Sequence, residues 1–412
     1  MQRRYFILGL LGLGGISALD VDSVYWPDDS KFFNACKNQL PERLAQHEVV
    51  LSAFQDIDTT QLWDGHVHLV GLGDTDSGIW VNPNSLSVLD VKQYAQFRFY
   101  LNACCPTPDM PVDKGFINRL KNLQFGRGIK FILLAFDYSY DEQGNRLTKQ
   151  TAFYTPNDYA AKIYQQFPDT FEWIASIHPY RKDCVEALEQ AFIKGARGVK
   201  WLPPAMGMNP ASSLCDRFYK AMAHWGIPLL CHCGDEKAVG GTNTQTYGNP
   251  LGLRRALELG VKVIIAHCGS LGSNIDTDKG ANGPLVSNFS LFARLMDEER
   301  YNGLLFGDIS AITQTERISS LATLIRRSDW HSRLLYASDY PLPGIIPLVS
   351  LRQLKDNNYI TEQQAVILKQ VRHYNPLLFD FILKRHLRLD NQGFSKAVFH
   401  TRSLWTGIRI IN

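Results

Sequence analysis

The sequence lacks the features that mark several large classes of protein. It contains no block of lysine or arginine, and its net charge is only +3 over 412 residues, so nothing points to a nucleic-acid partner. No apolar run reaches the roughly 20 residues that a membrane-spanning helix needs, and no G-x-S-x-G motif marks a serine hydrolase. The remaining composition, 45% hydrophobic and 20% charged, is that of a globular chain with one large domain plus extensions, or two or three smaller domains.

Cysteine is scarce, with eight residues in the chain, and a protein of this size needs no disulfide framework. Cys231, Cys233 and Cys268 lie in apolar runs beside histidines, which favours small buried thiols. We expect Cys36 and Cys215 to be more exposed and free.

The first 20 residues differ from the rest of the chain. A basic start over residues 1–4 precedes an apolar, glycine-rich stretch over residues 5–19, which is the plan of an export signal. Arg3 and Arg4 make this signal-like segment resemble a bacterial twin-arginine signal. We therefore expect a periplasmic or otherwise exported protein. The alternatives are an uncleaved N-terminal membrane anchor and a cytoplasmic chain.

From residue 61 to residue 387, short apolar runs alternate with helical patterns. An N-terminal extension over 21–60, with a predicted helix over 41–54, precedes this region, and a C-terminal tail over 388–412 follows it. The predicted strands are 62–68, 130–136, 171–177, 197–202, 227–233, 261–268, 304–309 and 333–338. Strands of this apolar, β-branched kind are buried on both faces. Their alternation with helices predicts an α/β fold, a closed (β/α)8 TIM barrel with an N-terminal extension and a C-terminal helical tail.

Two further patterns concern the helices between the strands. Residues 97–104 are apolar enough for a ninth strand, but they share one helical face with the residues before them, so we predict a helix. Gly195, Gly226 and Gly260 follow three predicted helices, where a left-handed residue commonly ends a helix.

Parallel barrels carry their chemistry at the carboxyl ends of the strands, and the first predicted strand ends in His66-x-His68. Residues two apart on a strand point to the same side, so both imidazoles can reach one ion. Gly65 allows a close approach to the backbone. Taken alone, the pair is also compatible with two hydrogen-bonded histidines without a catalytic role.

His232 and His267 end the fifth and sixth predicted strands at matching positions in apolar runs. A buried histidine needs a partner for each ring nitrogen, which a metal on one nitrogen and an acceptor on the other provide. Either residue alone is more simply a core histidine, but two at matching places favour a site.

Asp339, Lys200 and Asp308 end or occupy three more predicted strands. Asp339 can bind a metal and accept a proton, or it can cap the next helix; for Asp308 a helix cap is the expectation. Lys200 lies in an apolar strand, where a lysine is rarely fully buried unless it is paired. It can form a carbamate with carbon dioxide and bridge two metals, or it can remain an amine that binds a substrate carboxylate.

This order of residues, His-x-His, Lys, His, His and Asp, resembles the amidohydrolase superfamily over about residues 61–385. The flanking sequence is most similar to the amidohydrolase-related branch, which also contains decarboxylases. Residues 374–379 are similar to the closing Asn-containing motif of that family. The chain departs from simple members in its N-terminal extension, in an insert over 137–155 and in its tail.

The resemblance implies one or two divalent ions, zinc by preference and otherwise manganese or iron. It implies N6-carboxylysine at Lys200 if two ions bind. Asp339 would be the general base, and His267 would bind a second metal or polarise the substrate. The implied metal ligands are His66, His68, Lys200, His232, His267 and Asp339.

The implied activity is hydrolysis of an amide, lactone or ester bond by a metal-activated water. The alternatives are metal-dependent, non-oxidative decarboxylation of an unsaturated or aromatic carboxylic acid, and a catalytically silent binding protein. The expected partner is a small molecule, and the aromatic loops near Trp201, Tyr247 and Tyr340 hint at an apolar or ring-bearing one. The sequence determines neither the substrate nor whether the chain forms a homo-oligomer.

Overall fold

A computed structural model describes residues 32–86, 91–107, 109–242 and 244–407. The signal-like segment over 1–20 lies outside the described residues, as does the end of the tail. In the described part of the chain, no helix is long and apolar enough to cross a membrane.

Among the strands of the described residues, eight alternate with helices along the chain, and nearly all of their residues are buried. They are β1 (Trp63–His68), β2 (Lys130–Leu134), β3 (Phe171–Ile174), β4 (Val199–Trp201), β5 (Leu229–His232), β6 (Val263–Ala266), β7 (Leu305–Asp308) and β8 (Leu334–Leu335).

These strands form a closed parallel ring. Strands β1 to β3 pair in order, and so do β4 to β8. Two parallel bridges close the remaining gaps. Ala175 pairs with Val199 between β3 and β4, and Val67 pairs with Tyr340 between β1 and the residues after β8. The predicted (β/α)8 barrel is therefore confirmed, and the carboxyl ends of all its strands meet at one rim.

Helices and helical turns fill most of the remaining chain, and residues 97–104 are helical as predicted, up to Ala103. Gly195, Gly226 and Gly260 have φ values of 91°, 70° and 84° and follow three of the helices, as predicted. The helices are α1 (Glu42–Ala45), α2 (Glu48–Ala53), α3 (Val91–Ala103), α4 (Val112–Asn122), α5 (Asn157–Gln166), α6 (Cys184–Ile193), α7 (Pro203–Met206), α8 (Asp216–Trp225), α9 (Arg254–Glu258), α10 (Asn288–Asp297), α11 (Leu321–Arg326), α12 (Leu351–Asp356), α13 (Glu362–Arg372), α14 (Pro376–His386) and α15 (Arg402–Thr406).

Two predicted elements have different limits in the structure because local hydrogen bonds end them. The helix predicted over 41–54 is broken at His47, where the backbone is extended. The Nδ1 atom of His47 accepts from the Val49 amide at 3.2 Å and so caps the start of α2. The strand predicted over 333–338 ends early, since the Tyr336 amide donates to the Val398 carbonyl at 2.7 Å instead of to a neighbouring strand.

The C-terminal tail closes the amino-terminal end of the barrel. Trp405 of α15 is 1% exposed and packs inside the barrel with strand residues such as Ile132 and Ile264. A Cβ at Gly65 would lie 2.9 Å from the Trp405 ring, so the glycine there makes room for the tail. Thr401 Oγ1 also donates to the Trp63 carbonyl at 2.6 Å.

The N-terminal extension is fastened to the end of α3 by a disulfide between Cys36 and Cys105. The expectation of a free thiol at Cys36 was therefore wrong. Cys215 is a free thiol, as expected, but the expected exposure was wrong. It is buried at the start of α8, with its thiol 3.4 Å from the Asn209 carbonyl. The prediction of buried thiols at Cys231, Cys233 and Cys268 is confirmed.

The insert over 137–155 contributes to the rim of the barrel. Its strand Phe153–Tyr154 pairs antiparallel with Trp80–Val81 in the loop after β1. The loops after the first two strands are thereby joined into one wall above the carboxyl ends.

Candidate active site

Six side chains of metal-binding type meet at the rim formed by the carboxyl ends of the strands. They are buried except for His68, whose side chain is 22% exposed. His66 and His68 end β1, Lys200 lies in β4, His232 ends β5, His267 follows β6, and Asp339 follows β8.

Asp339 lies at the centre of this group. Its Oδ1 atom is 3.0 Å from Nε2 of His68 and 3.4 Å from Nε2 of His66, and its Oδ2 atom is 3.8 Å from Nε2 of His267. The ligand atoms of His66, His267 and Asp339 all lie within 4.8 Å of one another. The carboxylate of Asp339 therefore faces the histidines rather than capping a helix.

The backbone is left-handed at two of these residues. His267 has a φ of 55° and Asp339 a φ of 61°, although neither is glycine. Such conformations cost on the order of 1 kcal/mol each and concentrate at functional sites. A hydrogen bond of 2.8 Å from the Asp339 amide to the His66 carbonyl holds this turn against β1.

His232 has a ring nitrogen without a hydrogen-bond partner. Its Nε2 atom is buried and makes no hydrogen bond with any described residue. The nearest acidic atom, Oε2 of Glu236, is 3.5 Å away, and the His267 ring centroid lies 5.3 Å from that of His232. A buried polar atom without a partner is costly, so this nitrogen is suited to an additional ligand.

Asp308 is a functional candidate that the sequence analysis assigned wrongly to a helix cap. Its Oδ2 atom is 3.0 Å from Nδ1 of His66, and its Oδ1 atom accepts from the His267 amide at 2.8 Å. Ser310 Oγ lies 2.7 Å from Nδ1 of His267 and also donates to Asp308. These contacts hold both rings from the Nδ1 side and leave both Nε2 atoms facing Asp339.

The electrostatics of the site keep three of its imidazoles neutral and the carboxylates of Asp308 and Asp339 ionised. Burial lowers the pKa of His66, His232 and His267, that of His267 to about 3. Burial alone would raise the pKa of Asp308 and Asp339, but neighbouring histidines, His66 foremost, hold both below the ordinary range. Neutral imidazole and ionised carboxylate are the forms that bind metals.

Lys200 is buried beside these histidines. Its Nζ atom lies 3.2 Å from Nε2 of His66, and it forms no ion pair with a carboxylate in the described part of the chain. Burial, the largest influence, lowers the pKa of its amine, which favours the uncharged form.

The donor set fits a divalent cation. Uncharged imidazole nitrogens and an ionised carboxylate converge, and the Nε2 atom of His232 lacks any other partner. Nitrogen and oxygen donors of this kind suit zinc, and also manganese or iron.

A cavity of about 480 Å³ opens over the site. Trp201, Tyr247 and Tyr340 do not line it themselves, although their neighbours Leu202 and Pro341 do. Trp201 and Tyr340 are fully buried. Of the described aromatic side chains, those of Phe97, Tyr100 and Phe153 line the cavity.

Arg317, which the sequence analysis missed, also lines the cavity. It is only 7% exposed, its Nη1 atom donates to Ser270 Oγ at 3.3 Å, and its Nε atom has no described partner. It follows β7 in an irregular segment, so no periodic pattern marks it. Glu236 was missed as well. Its side chain is 6% exposed, and its Oε1 atom accepts from the Ala238 amide at 2.6 Å and the Val239 amide at 2.7 Å.

A parallel (β/α)8 barrel with histidines and an aspartate gathered at its carboxyl rim defines a metal-dependent enzyme. A sequence profile of the family described as amidohydrolase matches residues 138–346. The chain belongs to this amidohydrolase family. The match includes Lys200, His232, His267 and Asp339, and the structure adds His66 and His68 to the same site.

The solved structures that this chain resembles are distant from it in sequence. An uncharacterized TIM-barrel protein from Bordetella bronchiseptica has a TM-score of 0.46 and 15% identity, covering 69% of this chain and 88% of that one. A candidate 2-pyrone-4,6-dicarboxylic acid hydrolase from Pseudomonas putida has a TM-score of 0.41 and 16% identity, and the match covers 84% of this chain and 97% of that one. A 5-carboxyvanillate decarboxylase from Sphingomonas paucimobilis has a TM-score of 0.42 and 13% identity, and the match covers 76% of this chain and 97% of that one. A search of curated proteins finds no match.

Proposed function

We propose that the protein is a metal-dependent hydrolase that cleaves an amide, lactone or ester bond in a small molecule. One observation supports this above the others: the ligand atoms of His66, His267 and Asp339 lie within 4.8 Å of one another under a cavity of substrate size. We propose His66, His68, His232 and Asp339 as ligands of a divalent ion, zinc by preference. His267 either joins them at a second ion or polarises the substrate carbonyl.

The chain's own residues account for the handling of protons. When bound, a divalent cation supplies Lewis acidity, which makes water nucleophilic near neutral pH and polarises a scissile carbonyl. Asp339 is ionised and lies at the centre of the site, so it takes the proton of the attacking water and returns it to the leaving group. Asp308 and Ser310 keep the His66 and His267 rings in place during this transfer.

Lys200 determines the number of ions in this proposal. A charged ammonium 3.2 Å from Nε2 of His66 would oppose a cation on that nitrogen. The uncharged amine is compatible with one ion, and N6-carboxylation of Lys200 would supply the carboxylate for a second. Carbon-13 spectra of protein incubated with labelled bicarbonate distinguish the two, since only the carbamate gives a new carbonyl signal.

Decarboxylation of an unsaturated or aromatic acid is the second candidate activity. Arg317 favours it, because a buried guanidinium in the same cavity can hold a carboxylate. Carbon dioxide release from aromatic acids, without hydrolysis of any ester, lactone or amide, would establish decarboxylation and contradict the proposed hydrolysis.

The test is a panel of aryl esters, lactones and anilides presented to the metal-loaded protein, with acid and carbon dioxide release both measured. We expect hydrolysis, and we expect Asp339→Asn to lower kcat by about 10²- to 10⁴-fold. Asp297→Asn, which removes a carboxylate 52% exposed to solvent, is the matched control and should retain the wild-type rate. Equal rates in the two variants would contradict the role of Asp339.

We also propose that the protein is exported. The Cys36–Cys105 disulfide supports this, because disulfides persist mainly in oxidising compartments. The measurement is fractionation of cells that express the full chain, followed by N-terminal sequencing. Recovery in the cytoplasm alone would contradict export.

A further inference from the structure

The cavity over the candidate site has two chemically different parts. One part holds the histidines together with charged side chains, among them Lys200, Glu236, Asp339 and Arg317. The other is apolar and is built by three separate segments of the chain, namely the loop after β1, helix α3 and the loop after β8. Its side chains include Leu72, Ile79, Phe97, Leu101, Leu342 and Leu348.

The apolar part is held in place from outside. The Cys36–Cys105 disulfide ties the end of α3 to the N-terminal extension. In the loop after β1, the amides of Leu72 and Gly73 donate to Asp113 Oδ1 at 2.8 and 3.1 Å. This wall therefore has a defined position against which an apolar group can pack.

Arg317 is the polar counterpart of that wall. Its guanidinium is buried in the cavity, and its Nε atom is without a hydrogen bond within the described chain. The carboxylates of Asp339 and Glu236 act on its charge, but none of the described carboxylates forms an ion pair with it. A buried arginine is costly unless an anion compensates its charge. Arginine presents a planar fork of donors that matches a carboxylate.

We propose that the substrate is an amphipathic organic acid, whose carboxylate binds Arg317 and whose apolar body packs against the wall formed by α3 and the loops after β1 and β8. This proposal names the substrate class of the hydrolase proposed above and rests on it for the bond that is cleaved. The binding of the acid itself requires no turnover, so it can be tested separately.

The experiment is calorimetric titration of the full chain with butanoate, hexanoate, octanoate and octanamide, both metal-loaded and after chelation. We expect octanoate to bind at least about tenfold more tightly than butanoate, since each buried methylene contributes up to about fourfold. We expect Arg317→Gln to weaken octanoate binding by about 10- to 100-fold and to leave octanamide binding nearly unchanged. Arg317→Lys, which keeps the charge but not the fork, should be intermediate.

Two variants probe the apolar wall. Phe97→Ala shortens a side chain that lines the cavity, and Ile193→Ala removes one that is 63% exposed on α6. We expect Phe97→Ala to reduce the preference for octanoate over butanoate, and Ile193→Ala to leave it unchanged. Circular dichroism and thermal unfolding of each variant show whether it is folded.

Three results would overturn the proposal. The first is an octanoate affinity that is the same in folded Arg317→Gln as in the wild type, and the second is an affinity that does not depend on the chain length of the acid. The third is binding that disappears on chelation and is not weakened by Arg317→Gln. The last result would place the carboxylate on the metal. If the acids bind as expected but the chain neither retains metal nor hydrolyses the panel, the hydrolase proposal fails and the binding result stands.

Discussion

Asp308 holds two histidines of the candidate site through different oxygen atoms. It contacts Nδ1 of His66 through Oδ2 and accepts from the His267 amide through Oδ1. A carboxylate behind a ligating imidazole fixes the tautomer and makes the ring a better ligand. At the scale of single residues, the site is therefore built as much by Asp308 as by the groups that face the cavity.

We expect Asp308→Asn to lower the affinity for zinc by about 10- to 100-fold, because the amide keeps the size but not the charge behind His66. The measurement is competitive titration against a chelator of known affinity. Asp329→Asn is the control, since that carboxylate is 60% exposed on the surface. Equal zinc affinities in the two variants would contradict the role of Asp308.

The pH dependence of stability depends on the buried histidines. Burial lowers the pKa of His267 from 6.5 to about 3, so between these values the unfolded chain binds a proton that the folded chain does not. The stability due to this group is fully present above pH 6.5 and is lost as the pH falls towards 3, with a slope of up to about 1.4 kcal/mol per pH unit.

Urea unfolding of the metal-free protein at several pH values between 7 and 5 measures this slope. We expect the free energy of unfolding to fall with pH less steeply in His267→Gln than in the wild type. His224→Gln, which replaces an exposed histidine on α8, should keep the wild-type slope. The same slope in all three proteins would contradict a neutral, buried His267.

The residues that face the site differ in how far the sequence predicts them. His66, His232, His267 and Asp339 end apolar strands, and the order of these strands in a barrel brings them to one rim. Arg317 follows β7 in an irregular segment, where no periodicity relates its position to a strand. Its burial results from packing of loops, which a single sequence does not reveal.

At the scale of elements, the strands were predictable in number but not in length. Apolar runs identify all eight, yet β6 ends at Ala266 because His267 turns left-handed, and β8 ends at Leu335 because Tyr336 bonds to the tail. Both ends depend on contacts between residues distant in sequence. The disulfide at α3 was missed for the same reason, since Cys36 and Cys105 are 69 residues apart.

The disulfide predicts a measurable contribution to stability. Removing a cross-link between residues this far apart should lower the free energy of unfolding by about 2–4 kcal/mol, as measured by urea unfolding of Cys36→Ser. The double variant Cys36→Ser/Cys105→Ser is the control and should lose no more than the single one, because one bond is broken in both. A clearly larger loss of unfolding free energy in the double variant than in Cys36→Ser would show that the two thiols contribute separately.

At the scale of the whole molecule, closure of the barrel creates the site. The bridge between Val67 and Tyr340 joins the first strand to the residues after the last. That contact places His66 and His68 beside Asp339. The tail completes the opposite end of the barrel with Trp405. The alternation of strands and helices predicted this ring, whereas the position of the tail depended on a contact with Gly65 that the sequence did not predict.

The most direct test of a metal-dependent enzyme in this barrel is the metal content of the purified full chain, measured by mass spectrometry for the wild type, His232→Ala and His224→Ala. We predict about one to two divalent ions per chain in the wild type and in His224→Ala, and a sharp reduction in His232→Ala. Wild-type protein without tightly bound metal, or His232→Ala with as much metal as the wild type, would contradict the account.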